Sequence, residues 1–183
     1  MNYMDRYRFW CDAGLPEDVM AELLSISNDD EELKGRFGSD LQFGTAGMRG
    51  VMGAGSNRMN KYTVGLASYG VAQFAKAKHP DNLSVAIAYD TRNNSKFFAK
   101  TAAGIFASCG FKVYLYDIFV PVPVLSFTTR YLGCSIGIMI TASHNPKEYN
   151  GYKVYDNTGC QLCTEDSKSA TDYINKITDY STI

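Results

Sequence analysis

Three polar side chains that could take part in catalysis are adjacent at Ser143, His144 and Asn145, directly before Pro146. Proline disfavours continuation of a helix and restricts the residue before it, so the pattern predicts a rigid turn that presents the serine hydroxyl. Ten residues further along, Lys153 lies in the middle of a predicted strand, and a β return would bring its ammonium group back to Ser143. A hydroxyl that carries a group, a cation that neutralises charge and an imidazole that exchanges protons near neutral pH suit phosphoryl transfer.

A second segment that could form part of a binding or catalytic site is rich in glycine. Residues 44–55 contain five glycines and have Arg49 near their centre. So many glycines exclude a regular helix and favour a backbone that turns tightly or approaches a ligand closely. We predict a strand followed by a loop over residues 41–55. A flexible surface loop would have the same composition, but the arginine at its centre favours a binding role.

A third polar segment, Asp90-Thr91-Arg92, directly follows a short apolar run. We expect Arg92 to pair with Asp90 in a structural turn, and we leave both residues out of the predicted catalytic set.

The elements that must position these segments can be predicted from the apolar pattern. Short β-branched runs predict strands over residues 83–89, 111–116, 135–140 and 151–155. Helical spacing and end signals predict helices over residues 15–26, 60–77, 95–109, 124–132 and 165–177. This alternation is typical of a three-layer α/β/α domain with a mixed, mostly parallel sheet. Ligands bind such sheets beyond the carboxyl ends of the strands, where residues 44–50, 90–95 and 141–150 should converge.

Length and composition bound the protein class. A chain of 183 residues suits one core, and its 45% hydrophobic and 20% charged content is typical of a folded globular protein. We expect residues 1–40 to form a helical lead-in packed on the domain and residues 41–183 to form the α/β domain itself. The net charge of -1 gives no overall basic field for nucleic acid or an anionic membrane.

Targeting and redox signals favour a cytoplasmic protein. The amino terminus lacks the apolar run of a secretory signal, and no apolar stretch approaches the ~20 residues of a membrane span. Five scattered cysteines, an odd number, are typical of reduced thiols. Cys160 and Cys163 form a C-x-x-C pair, but no second pair or nearby histidine completes a zinc site.

Four segments together resemble a known enzyme family. Residues 141–146, Thr-Ala-Ser-His-Asn-Pro, resemble the phosphoserine loop of the α-D-phosphohexomutases, and residues 150–153, Asn-Gly-Tyr-Lys, resemble the Asn-Gly-x-Lys that follows it. Residues 43–50 are similar to the family's Gly-Thr-x-Gly-x-Arg-Gly segment, and residues 89–92 to its Asp-x-Arg turn. The matches stand in the family's order, which makes coincidence improbable.

The resemblance implies a phosphoglucomutase or phosphomannomutase that interconverts sugar 1-phosphates and 6-phosphates. Ser143 would be phosphorylated in the resting enzyme and would exchange its phosphoryl group through a bisphosphorylated sugar. Arg49, His144 and Lys153 would orient that group and assist proton transfer, with acid and base unassigned among them. The form of residues 43–50 and the long lead-in are similar to the branch that includes phosphopentomutases, so the substrate is a hexose or a pentose phosphate.

The resemblance also implies that parts are missing. The family's Asp-Gly-Asp-x-Asp metal loop, its Gly-Glu-x-Ser-Gly sugar loop and its substrate-phosphate loop do not occur in this sequence. A phosphoryl oxygen on Ser143 would be this domain's contribution to a Mg²⁺ site, and the partners of the chain would be the remaining C-terminal domains of the same protein. We expect the isolated chain to be inactive in turnover.

Two other functions stay open on the residues alone. The chain could be a free-standing sugar-phosphate-binding module without catalysis. A serine hydrolase using Ser143 and His144 ranks last, because G-x-S-x-G and an evident acid partner are lacking.

Overall fold

A computed structural model describes residues 2–45 and 47–177. Ala46, in the glycine-rich segment, and residues 178–183, at the end of the predicted α/β domain, lie outside the described residues. The helices are α1 (Tyr3–Asp12), α2 (Glu17–Ser25), α3 (Asp30–Phe37), α4 (Lys61–Lys78), α5 (Ser95–Ser108), α6 (Val122–Tyr131) and α7 (Thr164–Asn175). The strands are β1 (Met48–Val51), β2 (Ser84–Tyr89), β3 (Lys112–Leu115), β4 (Ile136–Ile140) and β5 (Tyr149–Asp156).

The five strands form one mixed sheet in the order β1-β5-β4-β2-β3. β2 pairs in parallel with β3 and with β4, whereas β5 pairs antiparallel with both β4 and β1. β1, β2, β3 and β4 therefore run in one direction and β5 alone is reversed. This confirms the prediction of a mixed, mostly parallel sheet.

Helices cover both faces of the sheet. Because side chains alternate along a strand, Val85 and Ile87 of β2 face the core beneath α4, α5 and α7, whereas Ala86 and Ala88 face α6. Every residue of β2 and β4 is buried, as expected of strands covered on both sides. The three-layer α/β/α architecture is therefore confirmed.

The amino-terminal helices have a hydrophobic cluster of their own, formed by Tyr7, Leu23, Ile26, Leu33, Phe37 and Ala54. Trp10 packs edge to face on Tyr62 of α4, with 5.3 Å between ring centroids. This packing supports the proposal that residues 1–40 form a helical lead-in on the α/β domain. The sequence predicts α2 but not α1 and α3. In α3, five of the eight residues are charged, so its apolar residues Leu33 and Phe37 give only a weak helical pattern.

The predicted order of strand and loop in the glycine-rich segment is wrong. Residues 41–43 have no regular structure, and the strand β1 starts at Met48, inside the glycines. Four residues of β1 pair with β5. Gly50 is needed there, because a Cβ atom at this position would lie 2.8 Å from the Leu41 side chain. The glycines thus permit close packing within a strand as well as turns.

Among residues 2–45 and 47–177, no helix is both long and apolar enough to cross a membrane.

Candidate functional site

Two loops meet at the carboxyl edge of the sheet, as predicted. Residues 141–148 leave β4 and residues 90–94 leave β2, the neighbouring strand. The backbone N–H of Asp90 donates to the carbonyl of Ile140 over 3.1 Å, which ties the two loops at their starts.

Ser143 lies at the tip of a tight, exposed turn. Its φ of 57° is in the left-handed region, which is unusual for a residue with a side chain. The Ser143 N–H donates to the hydroxyl of Thr141 over 3.0 Å, and the Asn145 N–H donates to the carbonyl of Ala142 over 3.2 Å. These bonds hold the turn without covering the Ser143 hydroxyl, so the predicted presentation of the serine is present in the structure.

His144 is exposed beside Ser143, with 3.4 Å between His144 Nδ1 and Ser143 Oγ. This is a long hydrogen bond, so the pair is not locked in one geometry.

Arg49 and Lys153 project from the same face of the sheet. Arg49 of β1 stands opposite Gly151 of β5, and Lys153 stands opposite Met139 of β4 on the face that α6 covers. Lys153 lies two residues beyond Gly151, so the two cations are diagonal neighbours, with roughly 7–8 Å between such positions. Arg49 is exposed and Lys153 is partly buried, and within the described residues neither side chain forms a hydrogen bond or an ion pair.

The strand register also places Arg49 and Lys153 near the serine turn. The Thr141 N–H donates to the carbonyl of Gly151 over 3.0 Å, so Arg49, Gly151 and Thr141 lie side by side across three chain segments. Ser143 follows Thr141 by two residues. The structure thus gathers the predicted site residues in one region of the sheet edge.

Two glycines allow these segments to approach. Gly47 has a φ of 92°, and a Cβ atom there would lie 2.0 Å from the carbonyl oxygen of Tyr152. A Cβ atom at Gly151 would lie 2.6 Å from the carbonyl oxygen of Thr141. Any side chain at either position would push Arg49 or the serine turn away from β5.

Arg92 contacts the serine turn far more extensively than the sequence predicts. Its Nη2 donates to the carbonyls of Ser143 and Asn145, both over 2.6 Å, and its Nη1 donates to those of Pro146 (2.9 Å) and Tyr149 (3.2 Å). The predicted pairing with Asp90 is present as a longer contact, 3.6 Å from Nε to Oδ2. Sequence patterns do not show backbone acceptors, so only the Asp-x-Arg segment hinted at this residue.

Asn150, which the sequence analysis gives only as part of the Asn-Gly-x-Lys segment, is a second polar residue with a role at this site. It is fully buried, and its Nδ2 donates to the carbonyl of Asn93 (2.9 Å) and to the hydroxyl of Ser95 (3.0 Å). Its Oδ1 accepts from the N–H of Gly151 over 2.8 Å. Asn150 therefore fastens the start of β5 to the turn after β2.

A polar hollow opens beside Ser143. It is lined by the turn after β2 and by the serine turn, with residues Asp90, Thr91, Arg92, Asn93, Ser143, Asn145 and Lys147. Lys147 adds a cation that the sequence analysis does not single out. The hollow could receive a small polar molecule next to the serine hydroxyl.

A sequence profile described as "Phosphoglucomutase/phosphomannomutase, alpha/beta/alpha domain I" matches residues 40–181. The chain belongs to the phosphoglucomutase/phosphomannomutase family. This confirms the family predicted from the four motifs.

Named members of the family are similar over most of the chain. A phosphoglucomutase from Staphylococcus epidermidis ATCC 12228 is 44% identical over 170 residues, which is 92% of this chain and 30% of the relative. One from Staphylococcus haemolyticus is 49% identical over 141 residues, 77% of this chain and 26% of the relative. The chain therefore spans about 30% of the length of the curated relatives it matches.

Solved structures support the fold of domain I. A candidate phosphomannomutase from Thermus thermophilus superposes with a TM-score of 0.69 at 32% identity, covering 74% of this chain and 30% of that chain. The parafusin phosphoglucomutase of Paramecium in its open form superposes with a TM-score of 0.62 at 21% identity, covering 76% and 26%. The second likeness is evidence for the fold alone.

The described residues of this phosphoglucomutase/phosphomannomutase domain give little support for a metal or redox site. Across the described residues, no group of three or more His, Cys, Asp or Glu side chains could hold a metal ion. Cys160 and Cys163 are free, exposed thiols. Cys163 caps α7, since its Sγ accepts the Asp166 N–H over 3.5 Å. Cys163 of the C-x-x-C pair thus has a structural role at the start of α7.

Proposed function

We propose that this chain is the phosphoserine-bearing domain of an enzyme that interconverts sugar 1-phosphates and 6-phosphates, with Ser143 as the phosphoryl carrier. The observation that carries the proposal is the exposed Ser143 hydroxyl on a left-handed turn, in the same region of the sheet edge as Arg49 and Lys153. Membership of the phosphoglucomutase/phosphomannomutase family over residues 40–181 supports it.

The proposed transfer moves one phosphoryl group in each direction. A hydroxyl of the bound sugar phosphate attacks the phosphorus of phospho-Ser143, the bond from phosphorus to Oγ breaks, and Oγ keeps the electron pair. The proton lost by the sugar hydroxyl passes to a base, and Oγ receives a proton from an acid. The bisphosphorylated sugar then returns its other phosphoryl group to Ser143 by the reverse chemistry.

The surrounding side chains suit the charges of this step. Arg49 and Lys153 supply two cations for the phosphoryl oxygens, which gather negative charge during transfer. His144, with its Nδ1 3.4 Å from Ser143 Oγ, is close enough to exchange a proton with the serine oxygen after a small movement. We propose these three residues, with Ser143, as the catalytic set of the domain.

The described residues do not by themselves fit a complete Mg²⁺ site, because no cluster of three ligands is present among them. We propose that phospho-Ser143 contributes one phosphoryl oxygen to the ion. The other oxygen ligands that Mg²⁺ requires would come from elsewhere in the full-length enzyme.

The proposed partners follow from the length of the relatives, and the proposed substrate follows from the family. Since the chain spans about 30% of them, we propose that further domains of the same protein select the sugar and complete the site. A hexose phosphate is the proposed substrate, and a pentose phosphate is the alternative from the phosphopentomutase branch. We propose a cytoplasmic protein, with five free cysteines in support, and no turnover by the isolated chain.

The function can be tested in a hybrid enzyme, defined as the S. epidermidis phosphoglucomutase in which this chain replaces the matching 170 residues. We expect the hybrid to convert glucose 1-phosphate to glucose 6-phosphate, Ser143→Ala to abolish this, and the exposed control Ser39→Ala to leave it unchanged. A folded hybrid that binds glucose 1-phosphate without converting it would instead support the binding module. Conversion that survives Ser143→Ala would overturn the proposal.

A further inference from the structure

One guanidinium group gathers the backbone of the whole serine turn. Arg92 donates to four carbonyls spread over residues 143–149, and its side chain is only 13% exposed. An ion pair with Asp90 alone would need none of these four bonds. The Arg92 side chain therefore determines the backbone path of the turn through these four hydrogen bonds.

Arg92 is itself held in place by hydrogen bonds. Asp90 Oδ1 accepts from the Arg92 backbone N–H over 3.0 Å and from the hydroxyl of Ser95 over 2.7 Å. Ser95 in turn accepts from the buried Asn150, where the chain enters β5. Hydrogen bonds thus join Arg92 to both ends of the segment that carries Ser143.

The bond to the Ser143 carbonyl also bears on the serine conformation. Ser143 has a φ of 57°, a region that residues with side chains rarely occupy without support from their surroundings. Arg92 Nη2 holds the carbonyl of this residue at 2.6 Å. Loss of that bond would let Ser143 relax to an ordinary conformation, which would move its Oγ.

The same bonds orient the N–H groups of the turn. All peptide bonds in the described chain are trans, so the N–H of His144 points away from the Ser143 carbonyl, and that of Lys147 points away from the Pro146 carbonyl. Both carbonyls face Arg92. Neither N–H has a protein acceptor among residues 2–45 and 47–177. Two N–H groups that point away from Arg92 and lack a protein acceptor are suited to an anion.

We propose that Arg92 is the positioning residue of the phosphoserine turn: it fixes the Ser143 hydroxyl for transfer and turns the His144 and Lys147 N–H groups outwards towards the phosphoryl oxygens. This deepens the proposed function and rests on it. Arg92 acts through the backbone and is not a catalytic residue.

The first test is the order of the turn in the full chain, read by ¹⁵N relaxation. We expect Arg92→Lys to lower the order parameters of residues 143–149 while β4 keeps its own, because one ammonium group cannot reach four carbonyls. Arg8→Lys, an exposed arginine on α1, is the matched control and should leave the turn unchanged. A turn as ordered in Arg92→Lys as in the wild type would overturn the proposal.

The second test is the split between kcat and KM in the hybrid enzyme. We expect Arg92→Lys to lower kcat by on the order of a hundredfold and to change KM for glucose 1-phosphate less than about threefold. A purely structural role would instead lower the amount of folded enzyme and leave kcat per folded molecule unchanged. An unchanged kcat would overturn the proposal, whereas an inactive wild-type hybrid would overturn the proposed function and leave the relaxation test decisive for Arg92.

If Arg92→Lys does not fold, Asp90→Asn keeps the size of the side chain that holds Arg92 and removes its charge. We expect a smaller loss of order in residues 143–149 and a smaller fall in kcat. No change in either quantity would overturn the proposal.

Discussion

At the scale of single residues, neighbours on β5 have opposite environments. Tyr152 points into the core beneath α4 and is fully buried, and this burial raises the pKa of its hydroxyl far above the usual value. Lys153 projects from the other face of the sheet and keeps access to solvent. Of these two adjacent residues, Tyr152 therefore packs in the core and Lys153 is available to the proposed site.

We expect Lys153→Met to lower kcat of the hybrid enzyme by on the order of a hundredfold, because a cation near the phosphoryl group is lost. Tyr152→Phe is the control from the opposite face. The hydroxyls of Tyr152 and Ser68 are buried together without a well-formed hydrogen bond, so this change should keep kcat and alter the free energy of unfolding by less than about 1 kcal/mol. Equal kcat values for the two variants would contradict the placement of Lys153 in the site.

At this scale, side-chain type is the signal that the sequence offers. Ser143, His144, Lys153 and Arg49 can be proposed as site residues because they lie in motifs that resemble those of the family, and their roles stay a prediction. The contacts of Arg92 could not be predicted, because its partners are four backbone carbonyls whose positions depend on the path of the chain.

At the scale of elements, α4 depends on a cap that also holds the glycine-rich segment. The Asn60 side chain accepts from the N–H groups of Tyr62 and Thr63, and its Nδ2 donates to the carbonyls of Gly53 and Gly55, each over 2.9 Å. One side chain thus starts a helix and fixes the loop that follows β1.

We expect Asn60→Ala to lower the free energy of unfolding by about 2 kcal/mol, because both the helix cap and the two loop bonds are lost. Urea unfolding of the full chain measures this. Asn157→Ala, in an exposed turn, is the control and should be neutral within about 0.5 kcal/mol. Equal stability of the two variants would show that the cap contributes nothing.

The helix α4 follows the predicted span within one residue because its apolar spacing and its cap agree. The strand β1 differs from its predicted position, because its glycines indicate a loop when only the local sequence is considered. Only the pairing of β1 with β5, nearly a hundred residues away, makes it a strand.

At the scale of the whole molecule, one titrating group couples stability to pH. Burial, with a contribution from Lys78, lowers the pKa of His79 at the end of α4 below its usual 6.5. Between the folded and the unfolded pKa, the unfolded chain binds more protons, so stability rises with pH through this window and is lost as the pH falls below about 6.5.

We expect the wild type to lose more free energy of unfolding than His79→Gln between about pH 7.5 and about pH 5.5. Denaturant unfolding at both pH values gives the difference, and the shared titration of the carboxylates cancels in the comparison. An equal or smaller loss in the wild type would contradict the lowered pKa of His79.

The architecture of the whole molecule was predictable because the alternation of apolar strands and helices allows few topologies. The resemblance to the family also predicted that loops for the sugar and the metal would be missing, but their positions relative to Ser143 could not be predicted, because those loops are absent from this sequence. The exposed position of Ser143 at the edge of the sheet agrees with the proposal that further domains complete the site.

The identity of the phosphoryl carrier tests the central proposal most directly. The hybrid enzyme is incubated with glucose 1,6-bisphosphate, digested and mapped by mass spectrometry, before and after a chase with glucose 6-phosphate. We predict one phosphoryl group on Ser143 that the chase removes. A hybrid that converts glucose 1-phosphate while its phosphoryl group resides on another residue, or on none, would contradict the account.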